Sequence, residues 1–235
     1  MTTGLSKMPI SYSRLSTFEQ CGLKFEYLYV TKQVVDLGSE ATNYGTRVHT
    51  ALEIYGKALG EGDSKDTATD KALAGTNNEA VLWLPLVDKI HAQQGDKYYE
   101  YKMSITTDKK PCDWFATDVW LRSIADVLIV NRTQATILDW KSGKVRDNPS
   151  QMQIFAMMVM LHFPQVNTVK TSFVWLVYNQ ITNITFTRRM LDGLWTALSP
   201  RFDALQDAVD VGAFKAKPSA LCNWCAAKDI CPSRK

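Results

Sequence analysis

The chain has 235 residues, a net charge of +3, 46% hydrophobic residues and 22% charged residues. A folded chain of this length buries about 70% of the surface that the unfolded chain exposes, which suffices for one substantial core without disulfide bonds. These values exclude a disordered chain, a collagen-like chain and a coiled-coil rod. Because the overall charge is weak, a polyanionic partner would have to be bound by a local basic patch.

The first part of the chain has mostly helical spacing of its apolar residues, and we expect residues 10–95 to be mainly helical. The polar, glycine-containing stretch 60–78 interrupts this spacing and is predicted to be a loop. Serines near the start of the first segment are good N-cap residues. The predicted helices cover 10–30, with Ser11 or Ser13 as the N-cap, 43–59, and 79–94, with a kink at Pro85.

The second part of the chain contains short β-branched runs separated by turns, which indicates strands. Strands are predicted over 97–107, 114–122, 123–130, 135–140, 169–178 and 184–188, with helices over 149–163 and 191–211. This order of elements predicts an α/β (α+β) fold whose mixed β-sheet core is flanked by helices. A single domain over 1–235 would have its core at 96–190 and a helical, cysteine-rich end at 191–235.

The hydrophobic runs are too short for a membrane protein. No run reaches the roughly 18 apolar residues that a membrane span requires. Residues 1–10 also lack the apolar segment that is typical of a signal peptide. We therefore expect a cytoplasmic protein that does not associate with a membrane.

The sharpest motif is Asp139-Trp140-Lys141, which ends a hydrophobic predicted strand and precedes a glycine turn. Residues i and i+2 of a strand point to the same face, so Asp139 and Lys141 should project together. Asp126 lies within the apolar run of the preceding strand, where a carboxylate is costly unless it is paired or binds a metal. Two carboxylates beside a lysine suit Mg²⁺ or Mn²⁺. The alternative is a solvated turn with a weak ion pair.

Polar residues at helical spacing extend this candidate site. His49 and Glu53 share a helix face, where the alternative is a surface pair of small energy. Gln151 and Phe155 share a face at the start of a later predicted helix, and an amide there can contact a DNA phosphate or sugar. Basic residues that could bind phosphates, or simply be solvated, are Lys144, Arg146, Arg188 and Arg189.

The cysteines are unevenly placed along the chain. Cys222, Cys225 and Cys231 crowd its end, Cys21 lies near its start, and Cys112 stands alone in a predicted turn as a spare thiol. Without a secretion signal, this spacing favours metal ligation over disulfide bonds. Four thiolates suit an iron–sulfur cluster or a structural zinc ion, and four free thiols are the third alternative.

Taken in order, these motifs resemble the PD-(D/E)XK nuclease superfamily. They are most similar to its RecB-like exonucleases, which include CRISPR-associated iron–sulfur exonucleases and stand-alone copies in phage genomes. The resemblance rests on Ser11-x-Ser13-x-Leu15, Phe18-x-x-Cys21, Gly45-x₃-His49-x₃-Glu53, Asp126, Asp139-x-Lys141, Gln151-x₃-Phe155 and Cys222-x₂-Cys225-x₅-Cys231.

The resemblance implies a restriction-endonuclease-like sheet and a role for each motif. The implied metal ligands are His49, Asp126, Asp139 and the Trp140 carbonyl. Lys141 would orient the attacking water or stabilise the transition state, and Gln151 would position the substrate or the lysine. Glu100 matches the family's early acidic residue. The family's usual arginine after the first aspartate is Val127 here, which affects a substrate contact and no metal ligand.

For the cysteines, the resemblance implies a structural 4Fe-4S cluster that joins the N-terminal helix to the C-terminal tail. Its implied ligands are Cys21, Cys222, Cys225 and Cys231. By analogy with a disulfide bond, closing so long a loop would stabilise the fold by about 4–5 kcal/mol.

The implied activity is hydrolysis of DNA phosphodiester bonds by an exonuclease that uses Mg²⁺ or Mn²⁺ and acts on single strands or DNA ends. The implied partners are DNA and proteins of recombination, repair or CRISPR adaptation. Two alternatives stay open on the same fold: a non-catalytic DNA-binding or assembly subunit, and a structure-specific endonuclease. The first would have lost a key residue, whereas Asp126, Asp139 and Lys141 are all present.

Overall fold

The structure of the chain is a computed structural model that describes residues 8–74, 78–146 and 148–234. Its packing divides the chain into two compact units. Unit 1 comprises Met1–Leu37, Ser104–Arg122 and Asp192–Lys235, and unit 2 comprises Gly38–Met103 and Ser123–Leu191. The prediction of one domain over 1–235 stays a prediction. The expectation about a signal peptide falls mostly on residues 1–7, which lie outside the described residues.

Along the described residues five α-helices precede the first strand, one α-helix lies between the third and fourth strands, and one follows the last strand. The helices are α1 (Tyr12–Gln20), α2 (Gly22–Phe25), α3 (Glu40–Gly60), α4 (Lys65–Leu73), α5 (Leu84–His91), α6 (Pro149–His162) and α7 (Leu191–Val211). The strands are β1 (Asp96–Ile105), β2 (Leu121–Asn131), β3 (Gln134–Lys141), β4 (Thr168–Trp175) and β5 (Gln180–Thr187). The predicted helix over 191–211 is therefore confirmed.

The strands form one mixed sheet in the order β1-β2-β3-β4-β5. β2 and β3 are an antiparallel hairpin, as is expected for the adjacent predicted strands over 123–130 and 135–140, and their pairing extends to Asn131 and Gln134. β3 and β4 are parallel, and β4 and β5 are antiparallel. A parallel pair needs a long crossover connection, which α6 supplies between β3 and β4. The predicted mixed sheet flanked by helices is confirmed.

Helices α3, α4 and α5 share a hydrophobic core with one face of the sheet. The strands contribute alternate residues to this core: Val127, Ile129, Trp140 and Val174. Because successive side chains of a strand point to opposite faces, Asp139 and Lys141 lie on the other face of β3 from Trp140. The crossover helix α6 begins near that end of β3, which positions its first turn beside the two charged residues.

The predicted loop over 60–78 is wrong in part because it contains helix α4. The helix begins after Ser64, whose side chain accepts a hydrogen bond from the backbone N–H of Thr67. Ala68 and Ala72, four residues apart, are fully buried in the unit 2 core. Two alanines in a polar stretch are a weak hydrophobic signal, which explains the missed helix. Positions 75–77 of the predicted loop lie outside the described residues.

The predicted helix over 10–30 is interrupted rather than continuous. Ser11 is the N-cap of α1, and its Oγ accepts a hydrogen bond from the Arg14 N–H at 3.4 Å. The helix ends because Cys21 is extended, with φ −165°. Helix α2 and a π-helical turn, Glu26–Val30, follow this break.

Two further boundaries differ from the predictions. Pro85 lies in the first turn of α5 rather than at a kink, and proline is favoured there because its missing N–H would be unpaired anyway. The predicted strand over 114–122 is wrong, because the chain forms turns and irregular structure until β2 begins at Leu121.

Unit 1 has its own aromatic core and ion pair. The ring of Trp120 lies 6.1 Å from that of Trp195 and 5.5 Å from that of Phe202. Arg201 binds both carboxylate oxygens of Glu19, at 2.6 and 2.7 Å, and so connects α7 to α1. Within the described residues, no helix combines the length and the apolar character needed to cross a membrane.

Candidate active site

Asp139 and Lys141 project together from the end of β3. Lys141 Nζ lies 2.5 Å from Asp139 Oδ2, which is the distance of an ion pair. This carboxylate oxygen is buried, and Lys141 is its charged partner. Lys141 Nζ also lies 4.8 Å from the ring centre of Phe173, the residue of β4 that pairs with Asp139. The ammonium group is therefore restrained from two directions.

Gln151, in the first turn of α6, connects the two charged residues. Its Oε1 accepts a hydrogen bond from Lys141 Nζ at 3.2 Å, and its Nε2 donates to Asp139 Oδ1 at 3.1 Å. An amide has an acceptor and a donor on the same group, so it can satisfy a cation and an anion at once. The structure thus brings together the aspartate, lysine and glutamine motifs of the sequence.

Asp126 lies on β2 beside the end of β3. The antiparallel register of these strands reaches Val127 and Leu138. At the residue before Val127, the side-chain oxygen Asp126 Oδ2 accepts a hydrogen bond from the backbone N–H of Trp140 at 2.7 Å. The carboxylate takes the place of a backbone acceptor here. The hydrogen bond fixes Asp126 against the same strand that carries Asp139.

His49 reaches these carboxylates from α3. Its Nδ1 lies 3.4 Å from Asp126 Oδ2. One turn earlier, Gly45 makes a close approach to the segment after β3: a Cβ added there would lie 2.5 Å from Ser142 Oγ. Glycine therefore lets α3 run near the end of β3, which brings His49 to the site.

Burial and neighbouring charges shift the proton affinities of this cluster. Burial, followed by the charge of Asp126, raises the pKa of Asp139 to about 6, although Lys141 opposes the change. Burial lowers the pKa of His49, but the hydrogen bond and charge of Asp126 outweigh it, so the pKa of His49 is raised. Both groups therefore hold protons more tightly than they would in an unfolded chain.

Glu100 adds a third carboxyl group beside Asp126. Its φ of 52° is uncommon for a residue other than glycine, so β1 is locally distorted at this point. Burial, followed by the charges of Asp126 and Glu53, raises the pKa of Glu100 to about 7. Glu53 itself pairs with Lys57, at 2.5 Å, rather than forming the surface pair with His49 that was the alternative prediction.

Part of the cluster, namely His49, Glu100 and Lys141, lines an open cavity of about 630 Å³, whereas Asp126, Asp139 and Gln151 are not among its lining residues. In residues 8–74, 78–146 and 148–234, no three His, Cys, Asp or Glu side chains already have the arrangement of a metal site, so the ligand roles stay a prediction. The donor set suits Mg²⁺ or Mn²⁺, because carboxylate oxygens dominate it.

The predicted phosphate-binding residues differ from one another. Lys144, Arg146 and Arg189 are exposed. The prediction for Arg188 is wrong, because its guanidinium donates hydrogen bonds of 2.9 to 3.1 Å to backbone carbonyls at and just after the end of α6. These carbonyls belong to Met160, Phe163 and Val166. Arg188 thus has a structural role at the start of the segment that follows β5.

Four cysteines line one cavity in unit 1, with a volume of about 160 Å³: Cys21, Cys222, Cys225 and Cys231. Cys112 is not among the residues that line it. The N–H of Lys217 donates to Cys21 Sγ at 3.4 Å, and the N–H of Ser219 donates to Cys222 Sγ at 3.3 Å. Hydrogen bonds to sulfur are one way in which proteins tune iron–sulfur clusters. Among the described residues these thiols do not already have the arrangement of a metal site, so a group bound by them stays a prediction.

Sequence reasoning missed two residues of the candidate active site. Phe173 lies in a uniformly hydrophobic strand, and only the parallel register reveals that it pairs with Asp139. Ser142 follows the Asp-x-Lys motif directly, but its contact with Gly45 depends on the path of α3. The one sequence signal for the second contact is Gly45, four residues before His49, because a glycine in a helix allows a neighbouring segment to approach closely.

Comparisons with known proteins agree with this geometry. The family model of the PD-(D/E)XK nuclease superfamily matches residues 9–232. No curated protein matches the sequence significantly. A solved structure from Eubacterium rectale, named "putative exonuclease", is 12% identical, with a TM-score of 0.52 over 97% of this chain and 92% of that one. The crystal structure of SSO0001 is 13% identical, with a TM-score of 0.38 over 80% of this chain and 86% of that one.

A mixed sheet with an Asp-x-Lys motif at the end of its central strand is typical of metal-dependent nucleases. The chain belongs to the PD-(D/E)XK nuclease superfamily, because the family model spans nearly its whole length. The similarity to the Eubacterium rectale protein adds evidence for a shared fold. The similarity to SSO0001 is too low to carry an argument.

Proposed function

We propose that the protein is a metal-dependent DNA exonuclease of the RecB-like branch, acting on single strands or DNA ends. One observation carries the proposal: the side chains of Asp139, Lys141 and Gln151 contact one another. They form one ion pair and two hydrogen bonds, at distances between 2.5 and 3.2 Å. Membership of a nuclease superfamily supports phosphodiester hydrolysis. The fold shared with a protein named as an exonuclease supports the narrower activity.

Lys141 supplies the positive charge of the proposed reaction. Hydrolysis of a phosphodiester builds negative charge on the phosphate oxygens and on the leaving oxygen. An ammonium group that is already held by Asp139 and Gln151 can stabilise this charge without reorganising. Gln151 is therefore a positioning residue for the lysine, and its amide also orients Asp139.

His49, Asp126 and Asp139 would hold one Mg²⁺ or Mn²⁺ ion, with the Trp140 carbonyl as a further ligand. When bound, such an ion neutralises charge on the phosphate and makes a bound water more acidic. The Trp140 N–H holds one oxygen of Asp126 in place. Burial and then the charge of Asp126 raise the pKa of Glu100, and Glu100 would act as a second positioning group for Asp126.

We further infer that the cysteine cavity binds a structural 4Fe-4S cluster rather than zinc. Opposite charges nearby favour any anionic site that four thiolates form, whether with a cluster or with a zinc ion, and the choice of the cluster rests on the resemblance to the iron–sulfur exonucleases. The cavity wall contains four basic residues and no acidic one among the residues that line it: Lys24, Lys217, Lys228 and Arg234. Colourless, anaerobically purified protein that contains zinc would contradict this inference.

The test of the activity uses end-labelled linear single-stranded DNA and, separately, circular single-stranded DNA. Each is incubated with Mg²⁺, Mn²⁺ or EDTA. We expect either ion to support degradation of the linear DNA, while the circular DNA persists and EDTA stops the reaction. Lys141→Ala should lower the rate by about 10²–10³-fold or more while the fold is retained. Lys170→Ala, at an exposed position on β4, is the matched control and should behave like the wild type.

Other outcomes would indicate a different activity or a different role for Lys141. Cleavage of the circular DNA would indicate a structure-specific endonuclease with the same site. Binding of DNA without cleavage by folded, metal-loaded wild-type protein would indicate a non-catalytic subunit. Undiminished cleavage by Lys141→Ala would remove the role that we assign to the lysine.

A further inference from the structure

Three aromatic rings form a cluster next to the candidate active site in unit 2. The ring centres of Tyr98 and Tyr101 are 4.8 Å apart, and Phe163 lies 6.0 Å from the first and 5.7 Å from the second. All three side chains are half-buried. Each tyrosine therefore keeps part of its surface open to solvent while Phe163 limits the movement of its ring.

The two tyrosines meet because β1 is distorted between them. In a regular strand, residues three apart point to opposite faces. The positive φ of Glu100, 52°, breaks this alternation. The same distortion brings Glu100 next to Asp126. One local feature of β1 thus positions a carboxyl group at the active site and an aromatic pair beside it.

The aromatic pair lines a second open cavity, of about 660 Å³. Its wall also contains two lysines, Lys57 and Lys102, and two glutamates, Glu53 and Glu100. Glu53 and Glu100 belong to the walls of both this cavity and the catalytic one. A chain molecule bound at the catalytic residues can therefore extend into the aromatic cavity without leaving the protein surface.

We propose that Tyr98 and Tyr101 form a stacking subsite for an unpaired base of single-stranded DNA, adjacent to the phosphate that is cleaved. The proposal rests on the proposed nuclease function and specifies its substrate. Aromatic side chains beside basic residues are the usual means by which proteins bind single strands without sequence preference. The basic residues of this wall that would contact the neighbouring phosphates are Lys102 and Lys57, the second of which also pairs with Glu53.

The arrangement favours a single strand over a duplex. Bases in a duplex are covered on both faces by their neighbours, so a tyrosine ring can stack only on an unpaired or terminal base. A pre-positioned ring loses little side-chain entropy when it binds, because Phe163 already restrains it. The subsite would therefore select unpaired ends at the point where the strand enters the catalytic cavity.

The test compares wild type with Tyr98→Leu/Tyr101→Leu, which removes the aromatic faces, and with Tyr98→Phe/Tyr101→Phe, which keeps them. Binding of a fluorescein-labelled thymidine oligonucleotide and of a blunt duplex of equal length is measured by fluorescence anisotropy in EDTA. We expect the leucine variant to bind the single strand at least about tenfold more weakly. The phenylalanine variant should bind it as the wild type does, and duplex binding should change little.

Equal single-strand affinity of the leucine variant and the wild type would overturn the subsite, as would an equal loss for the duplex. If the leucine variant does not fold, photocrosslinking of wild type to an oligonucleotide that carries 5-iodouracil decides the question. Crosslinks at Tyr98 or Tyr101 support the proposal, and crosslinks only at other residues overturn it.

Cleavage of linear DNA by the same wild-type preparation separates this proposal from the proposed function. Wild type that cleaves DNA while the leucine variant binds normally would leave the nuclease intact and remove the subsite. Wild type that fails to cleave, but binds single strands in a tyrosine-dependent manner, would retain the subsite and remove the catalytic proposal.

Discussion

The two candidate sites of this protein are built in different ways. At the end of β3 and the middle of β2, charged side chains contact one another directly, and Gln151 joins Lys141 to Asp139. Around the cysteine cavity, the thiols contact backbone N–H groups. All five cysteines lie in the described part of the chain, and no disulfide bond joins them there.

The two sites differ in how much their structure depends on a bound metal group. The acidic site is connected by its own hydrogen bonds and ion pairs, so its side chains keep their places through protein contacts. The structure of the cysteine site would depend on the proposed group that the four thiols bind. We therefore expect substitutions in the first region to change activity more than stability, and substitutions in the second to change stability more than chemistry.

The largest effect on stability is expected from Cys225→Ser. Loss of one ligand should release the proposed cluster, and with it the connection between the start and the end of the chain. Iron content should fall from about four atoms per chain towards zero. The free energy of unfolding should fall by about 4–5 kcal/mol, by analogy with a disulfide bond. Iron analysis and anaerobic chemical denaturation measure the two changes.

Cys112→Ser is the matched control, because Cys112 does not line the cysteine cavity. This variant should keep both the iron and the stability of the wild type. Unchanged iron content and stability in Cys225→Ser would contradict the assignment of the cluster to these thiols.

A smaller, pH-dependent effect is expected from the acidic site. The pKa of Asp139 is raised from 3.8 to about 6, and that of Glu100 from 4.5 to about 7. The folded, metal-free protein therefore binds more protons than the unfolded chain between about pH 4 and pH 7, so its stability falls as the pH rises through this window. A divalent ion removes that penalty, so Mn²⁺ should raise the melting temperature more at about pH 8 than at about pH 5.

Thermal melts with Mn²⁺ or EDTA at each pH measure this difference. Asp139→Asn removes one titrating group and should reduce both the pH dependence and the effect of Mn²⁺. Asp192→Asn, at an exposed position in α7, should alter neither. A Mn²⁺-induced shift that is the same at both pH values would argue against metal binding by these carboxyl groups.

The smallest effect is expected from Gly45→Ala, which tests how α3 positions His49. The new Cβ would lie 2.5 Å from Ser142 Oγ, so the serine would have to leave its rotamer or α3 would have to shift. A strained rotamer costs on the order of 0.5–1.5 kcal/mol. We expect a reduction in kcat of about two- to tenfold, measured on linear DNA.

The double variant Gly45→Ala/Ser142→Ala provides the control. It removes the serine oxygen, and the remaining distance of 3.5 Å to the Ser142 Cβ is ordinary contact. Activity should recover towards that of Ser142→Ala alone. A double variant that is no faster than Gly45→Ala would show that this contact does not limit the position of His49.

Much of unit 2 could be predicted from the sequence because its signals are local. Alternating β-branched runs predict β2 and β3, and the strand period places Asp139 and Lys141 on one face. The predicted hairpin and the helix α6 are observed within a few residues of their expected bounds. These features follow from short-range backbone geometry.

Features that depend on packing between distant segments could not be predicted. The interruption at Cys21 and the distortion at Glu100 are backbone conformations that no residue type at those positions requires. Arg188 reads as a surface cation in the sequence, yet its hydrogen bonds lie within the fold. The roles of His49, Asp126 and Asp139 stay predictions, because proximity of donors does not establish a bound ion.

The most direct test of the central claim is a crystal structure of the wild type soaked with Mn²⁺, with anomalous data at the manganese edge. The account predicts a peak at about 2.0–2.4 Å from a nitrogen of His49 and from oxygens of Asp126 and Asp139. Manganese bound elsewhere, with none at these three residues, in a protein that degrades DNA with Mn²⁺ would contradict it.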